Sequence, residues 1–202
     1  EALFESAMRH VEIAKDFGFD DLIVAVKSTS VSRTIEAYRL IAAKTDLPLH
    51  LGVTESGTVR VGTIKSSVGI GTLLAEGIGD TLRVSLTDDP AMEVEVGKEI
   101  LRSLDLLERN VEIISCPTCG RLQVPNMIEI VKKVEMAVKN IKKPIKIAIM
   151  GCAVNGPGEA READLGFACG NGEALMFKKG ETVGKVKEAD IVDRILKEIE
   201  EF

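Results

Sequence analysis

Two polar segments, Cys116-Pro117-Thr118-Cys119 and Cys152-Ala153-Val154-Asn155-Gly156-Pro157-Gly158-Glu159, each follow directly on a β-type apolar run. Val111-Glu112-Ile113-Ile114-Ser115 delivers the first, and Pro144-Ile145-Lys146-Ile147-Ala148-Ile149-Met150 delivers Gly151 and the second. Between them, 125–141 has a helical period with Ile128, Val131, Val134 and Val138 as its expected buried stripe. Strand, helix and strand in that order predict a parallel pair, which places the lone thiol beside the C-x-x-C. Pro157 and Gly158 would bend the loop so that Glu159 returns toward the same point.

Soft thiolates select zinc, copper(I) or iron–sulfur clusters, and a C-x-x-C turn lets two sulfurs reach one centre. Structural zinc sites carry four nitrogen or sulfur ligands, but the second segment has one cysteine, and both histidines, His10 and His50, lie far upstream. Three thiolates with a hard, displaceable carboxylate fit a cluster with one labile iron better than a closed zinc knot. A zinc site and a metal-free redox dithiol stay open as alternatives. Cys169, in Phe167-Ala168-Cys169-Gly170, competes for the fourth ligand position, although a buried structural thiol is the plainer reading.

Upstream, residues 1–110 alternate strand and helix patterns, and 111–202 form a second module. Amphipathic helix with Phe4, Met8 and Val11 on one face opens the chain directly, without an initiator Met, as expected of part of a longer protein. The runs 22–26, 48–53 and 81–86 predict parallel strands buried on both faces, with helices over 31–44, 68–76 and 89–104. Lys27, Glu55 and Arg83 lie at or near the strand ends and 28 residues apart (55 − 27 and 83 − 55). Ionisable groups at the carboxyl ends of barrel strands read as an active site; three solvated strand ends are the competing reading. Three βα units cannot close a barrel of eight strands, so a partial barrel is expected. Gly69-x-Gly71 and Gly77-x-Gly79 read as turns between short helices rather than as a phosphate cradle. In the second module, 174–177 predicts a strand turning at Lys178-Lys179-Gly180, and 189–201 a closing helix.

The net charge of −6 argues against nonspecific nucleic-acid binding, because no basic stripe exists to displace phosphate counterions. No apolar run reaches the ~20 residues that a bilayer span needs, and Glu1-Ala2-Leu3-Phe4-Glu5-Ser6 has no basic secretion n-region; a cytoplasmic location and no membrane partner are expected.

Ser115-Cys116-Pro117-Thr118-Cys119-Gly120-Arg121 and Met150-Gly151-Cys152-Ala153-Val154-Asn155-Gly156-Pro157-Gly158-Glu159-Ala160 resemble the 4-hydroxy-3-methylbut-2-enyl diphosphate synthase family of the non-mevalonate isoprenoid pathway. Leu51-Gly52-Val53-Thr54-Glu55, Lys65-Ser66-Ser67-Val68-Gly69-Ile70-Gly71 and Arg83-Val84-Ser85-Leu86-Thr87 extend the resemblance over nearly the whole chain. It implies the C-terminal part of a (β/α)8 substrate-binding barrel over 1–110, then a smaller α/β iron–sulfur domain resembling sulfite reductase modules over 111–202. It also implies a 4Fe-4S cluster on Cys116, Cys119, Cys152 and Glu159. The implied chemistry is two-electron reductive ring opening and dehydration of 2-C-methyl-D-erythritol 2,4-cyclodiphosphate, with ferredoxin or flavodoxin as electron donor. Glu55 is the implied proton donor, and Lys27 and Arg83 would neutralise the diphosphate. Asn155 would contact substrate from the cluster side, and Ser85 would add a hydroxyl contact.

The resemblance further implies a homodimer in which one chain's cluster closes over its partner's barrel, bringing Glu55 and Asn155 of different chains together. Barrel strands that hold substrate-binding arginines in the family are missing, so the chain alone is expected to be inactive. Lys178, Lys179, Lys185 and Lys187 are candidates for docking an acidic electron carrier, against a solvated turn. The alternative from another class is a noncatalytic, zinc-stabilised binding module.

Overall fold

In unit 1 of the computed structural model, a buried tyrosine ties two chain segments into a parallel sheet. The Tyr38 hydroxyl donates to the His50 carbonyl and accepts from the Val26 N–H at 3.2 Å, and the side chain is fully buried. The structure describes residues 1–108, 110–152, 154 and 156–202, and it divides into two compact units, Glu1–Leu107 and Glu108–Phe202.

Unit 1 contains α1 (Ala2–Asp16), α2 (Val31–Ala42), β1 (His50–Leu51), α3 (Val59–Ala75), β2 (Thr81–Leu82) and α4 (Pro90–Ser103). β1 pairs in parallel with β2, and the segment around Val24 joins β1 through a parallel Val24–Leu49 bridge, giving a mixed α/β, strand–helix–strand order without a closed barrel among the described residues. Pro90 occupies the first turn of α4, where its missing N–H is harmless, and the Asp89 carboxylate caps the Ala91 N–H at 2.8 Å.

The expectation of strands buried on both faces is corrected. Val24 and Val26 are buried against Tyr38, Ile41, Leu51 and Leu73, whereas Ile23 is 61% exposed and Ala25 is exposed. Helices cover one face only, and the other carries Lys27, His50 and Arg83, whose charged or polar heads need water or a ligand. Nor are Gly69 and Gly71 in a turn: they lie within α3, which begins nine residues before the predicted start (68 − 59). A Cβ at Gly62 would sit 2.5 Å from Leu86 Cδ2, and one at Gly69 would sit 2.7 Å from Val53 Cγ2, so these glycines set how closely α3 approaches its neighbours. Gly77 and Gly79 do lie in the following connection, at φ 74 and 113.

Unit 2 is a five-stranded sheet in the order β3 (Glu112–Ser115), β4 (Lys146–Met150), β5 (Leu165–Gly170), β6 (Glu173–Lys178), β7 (Glu181–Lys187). The first three strands run parallel, and β5, β6 and β7 form an antiparallel meander. Asn171-Gly172 (φ 54 and 79) and Lys179-Gly180 (φ 50 and 84) make its two hairpin turns, both with the positive φ pair that matches strand twist. β5 and β7 were not among the predicted strands. Gly166, Ala168 and Gly170 hide the apolar alternation of β5, and Lys185, Lys187 and Gly184 interrupt that of β7.

Ile147, Ile149, Phe167 and Met176 form one core with α5 (Met127–Val138) and α7 (Ile191–Glu200), through Val134, Ile195 and Ile199. The predicted stripe of α5 is partly out of phase: Met127, Ile130, Val134 and Val138 are buried, whereas Ile128 is 59% exposed. On the opposite sheet face lies α6 (Gly156–Arg161), whose Ala160 packs with Ala168 and Phe177. That approach depends on Gly166, where a Cβ would stand 2.0 Å from the Ala160 carbonyl oxygen and 2.6 Å from its carbon.

Because the obstacle at Gly166 is backbone, Gly166→Ala is expected to displace α6 and cost about 1–3 kcal/mol; urea denaturation measures it, and an unchanged midpoint would contradict this packing. Tyr38→Phe strips partners from the Val26 N–H and the His50 carbonyl, with an expected loss of about 1–3 kcal/mol by the same measurement.

Candidate functional site

The parallel ladder of β3 and β4 continues one residue past its last strand pair. Ser115 aligns with Ile149, and the Cys116 N–H then donates to the Ile149 carbonyl at 3.3 Å. This keeps Cys116 beside the exit of β4, where the Gly151 N–H points at Cys116 Sγ at 3.3 Å. The Gln123 N–H donates to the Gly151 carbonyl at 2.8 Å, fastening the loop after the C-x-x-C to the same place. A Cβ at Gly151 would lie 2.4 Å from Leu122 Cδ1 and 3.4 Å from Cys116 Sγ, so glycine lets these two loops meet. Thr118 turns the C-x-x-C with a left-handed φ of 48.

Cys116, Cys119, Arg121, Cys152 and Glu159 together line a pocket of about 190 Å³. Glu159 reaches it from the first turn of α6, which Gly156 seats against Met150 and Ala168, 3.1 and 3.4 Å from the position its Cβ would take. Cys152 is buried, Cys116 half-buried, and Cys119 and Glu159 exposed. The cysteines form no disulfide among themselves. Among the described residues no three His, Cys, Asp or Glu side chains gather tightly enough to hold a single ion. Asn155, and Ala153 of the same loop, lie outside the described residues.

The thiols differ in acidity. The Arg121 backbone N–H, followed by its side chain, hydrogen-bonds Cys119 and lowers its pKa. Burial, with Glu188 and Cys116 adding repulsion, pushes Cys169 up to about 12. Cys169 sits in the apolar core between the sheet and α5, 1% exposed, as expected of a structural thiol.

In unit 1 the structure brings Lys27 and Arg83 together and sets Glu55 apart from their row. Extending the strand registers (24 to 27 with 49 to 52, and 51 to 52 with 82 to 83) puts Lys27, Gly52 and Arg83 side by side. The 28-residue interval is therefore no structural period, because the row-mate of Lys27 and Arg83 is Gly52. Lys27 folds over this glycine, its Cε 3.0 Å from where a Cβ would be. Burial, then the Arg83 charge, lowers the Lys27 pKa. Glu55 lies exposed in the turn beyond β1, at a left-handed φ of 51, and Ser85 is half-buried two residues past Arg83. Holding a glutamate in that backbone region costs energy, which is common at functional turns.

Of the lysines considered for docking, Lys178 and Lys185 are ion-paired. Lys178 Nζ binds Glu198 at 2.6 Å and Glu201 at 3.0 Å, and Lys185 pairs with Glu173 at 3.1 Å. Lys179 lies 5.2 Å from the centre of the Phe202 ring. Arg121 at the thiol pocket, and Gln123 that fastens its loop, were not singled out from the sequence; an arginine two residues after a C-x-x-C was the available signal for the first.

Fold and site define an α/β protein of two units: one an open parallel sheet with a basic face, the other carrying a pocket lined by thiols and a carboxylate at the ends of parallel strands. Residues 1–98 match the GcpE TIM-barrel domain and residues 112–201 the GcpE protein C-terminal domain. The chain belongs to the GcpE family. It is 57% identical over 200 residues to the 4-hydroxy-3-methylbut-2-en-1-yl diphosphate synthase (flavodoxin) of Clostridium acetobutylicum, covering 99% of this chain and 57% of that protein. The proteins of the same name from Clostridium tetani and Geobacter sulfurreducens are 58% identical over 199 residues and 53% identical over 202, covering 98% and 100% of this chain. The chain thus spans little more than half the length of these relatives, 57% in each case.

In reduced, metal-free protein, Cys119 is expected to react first with iodoacetamide near neutral pH and Cys169 last, with Arg121→Ala slowing Cys119; peptide mass spectrometry reads the order. Cys169 also predicts an alkaline loss of stability. Its folded pKa is raised, so above the ordinary 9.0 the unfolded chain releases the proton first, and stability falls as pH rises toward about 12. Cys169→Ala should flatten that limb of the stability profile.

Proposed function

We propose that this chain carries cluster-binding and substrate-binding parts of a reductase that converts 2-C-methyl-D-erythritol 2,4-cyclodiphosphate to 4-hydroxy-3-methylbut-2-enyl diphosphate. The observation that carries the reading is the single pocket shared by Cys116, Cys119, Cys152 and Glu159, in a chain whose relatives bear the synthase name. Three soft donors and one hard one suit a 4Fe-4S cluster, whose ligands stand on separate iron corners; one tetrahedral zinc needs four donors about 2 Å from a common point. The four side chains border a shared hollow, as ligands to separate iron corners of one cluster would. The Gly151 N–H aimed at Cys116 Sγ is the kind of donor that tunes cluster sulfur.

When bound, the cluster would supply low-potential electrons and a Lewis-acidic iron. The remaining work falls to the chain. Lys27 and Arg83 neutralise the diphosphate across Gly52, with arginine giving a planar fork and lysine a point charge. Glu55, held by its turn, donates a proton as the ring opens and water departs, which requires its carboxyl to be protonated at that moment. Ser85 adds a hydroxyl contact, and Asn155 a contact from the cluster side.

We assign residues 1–110 to a partial TIM-barrel substrate-binding domain and 111–202 to a cluster domain resembling sulfite reductase modules. The electron donor follows the relatives' printed name, flavodoxin, with ferredoxin as the other acidic low-potential carrier. A cytoplasmic homodimer completes the reading; no described helix is long and apolar enough to cross a membrane.

Anaerobic purification tests the core of this. A brown protein with about four irons and matching acid-labile sulfide per chain is expected, lost on Cys152→Ala, while a colourless zinc protein would replace this reading with the binding module. The 202-residue chain alone, its barrel unit open among the described residues, should show little or no turnover with substrate and a low-potential reductant. Ready turnover would show that the described strands suffice.

A further inference from the structure

Two rows of residues occupy the uncovered face of the unit 1 sheet. One is Lys27, Gly52 and Arg83; the other, two residues upstream on each strand, is Ala25, His50 and Thr81. Residues two apart on a strand share a face and stand about 7 Å apart, so His50 is the strand neighbour of Gly52 on the side where Lys27 and Arg83 project. Gly52 leaves the middle of its row without a side chain: a Cβ there would meet the Arg83 carbonyl oxygen at 2.9 Å and Lys27 Cε at 3.0 Å. Lys27 lays its stem across that gap, so an anion drawn to Lys27 and Arg83 meets their charged heads in this row and an imidazole next along the strand. The ring is already oriented, because His50 Nδ1 lies 2.8 Å from Thr81 Oγ1. A threonine hydroxyl can donate to a neutral imidazole or accept from a charged one, so this hydrogen bond survives protonation and leaves Nε2 for a ligand.

We propose that His50 is a third binding residue for the anionic group held by Lys27 and Arg83, its imidazole bordering a phosphate subsite beside their row. This rests on the reading of Lys27 and Arg83 as diphosphate ligands. The electrostatics agree with it. Burial first, then the charges of Lys27 and Arg83, hold the His50 pKa below its ordinary 6.5, which favours the neutral ring in the free protein. The nearby carboxylate Asp80 is engaged elsewhere, accepting the Leu49 N–H at 2.7 Å. A bound phosphate would cancel the two repelling cations and favour the imidazolium, so binding takes up a proton. In sign, the bound-state pKa lies above the free-state value, and affinity rises as pH falls through the bound-state pKa. A rise of about one in pKa corresponds to about tenfold tighter binding on the acid side.

His10 and His50 are the only histidines, so nitrogen-labelled rings give two resolvable NMR titrations in the intact chain. With inorganic pyrophosphate as probe, the His50 pKa is expected to rise while that of His10 stays fixed. By calorimetry, His50→Gln should bind like the parent near pH 8 but lack its gain near pH 6, whereas Lys27→Ala and Arg83→Ala weaken binding at both. Suppose pyrophosphate binds and depends on Lys27 and Arg83, yet His50 does not titrate differently and His50→Gln gains affinity as the parent does. The role of His50 is then refuted and the diphosphate reading stands. No binding, or binding indifferent to Lys27→Ala and Arg83→Ala, overturns both.

Discussion

The parallel alignment of β3 with β4 is the constraint on which the thiol pocket depends. Parallel strands send their exits to the same edge, so the C-x-x-C after β3 and Cys152 after β4 emerge as neighbours without any contact between their side chains having to bring them there. Register is as important as direction. Slipping β4 by one residue would turn Ile147 and Ile149 out of the core they share with Phe167 and turn Ala148 and Met150 into it. The apolar pattern of a strand thus holds a sulfur position several residues beyond its end. Glu159 needs a second device, the close seating of α6 on β5, which Gly156 and Gly166 allow by having no side chain.

Unit 1 uses the same geometry for groups of opposite preference. Its strand-end side chains are basic; burial first, then mutual repulsion, lowers the pKa values of Lys27 and His50, and the crowding is tolerated because the sheet buries Val24, Val26 and Leu51 on its other face. A face of three crowded bases is poor for stability and good for an anion. Tyr38 is the structural element that this face leans on: through one hydroxyl it holds Val26, the residue before Lys27, and His50 itself.

Legibility followed the strength of the local signal. The C-x-x-C, Cys152 and Glu159 could be grouped from sequence because β-rich apolar runs precede both loops, and strand, helix, strand leaves one sensible pairing. The burial of Cys169 was readable from its small apolar neighbours. β5 and β7 escaped because their alternation is broken by glycine and lysine, although Asn171-Gly172 is a strong hairpin signal that frames β5. The phase of α5 was misjudged because Ile128 and Met127 are both apolar and adjacent, and only packing with α7 decides between them. The 28-residue interval carries no row register: row-mates across parallel strands depend on where each ladder begins, which spacing in sequence does not encode.

Exposure across the thiol pocket adds one more step. Cys152 is 8% exposed and Cys116 half-buried, while Cys119 and Glu159 stand exposed. On the proposed reading, soft and firmly held donors lie toward the core, and the hard donor that releases most readily lies toward solvent. An exchangeable position is useful only where another oxygen can reach it, and the carboxylate occupies the accessible side. Arg121 sits on that same pocket wall, where its hydrogen bonds to Cys119 lower the pKa of the exposed sulfur. On that reading the arrangement separates two demands that would conflict at one residue: the less exposed sulfurs of Cys116 and Cys152 would hold, and the exposed carboxylate of Glu159 would yield.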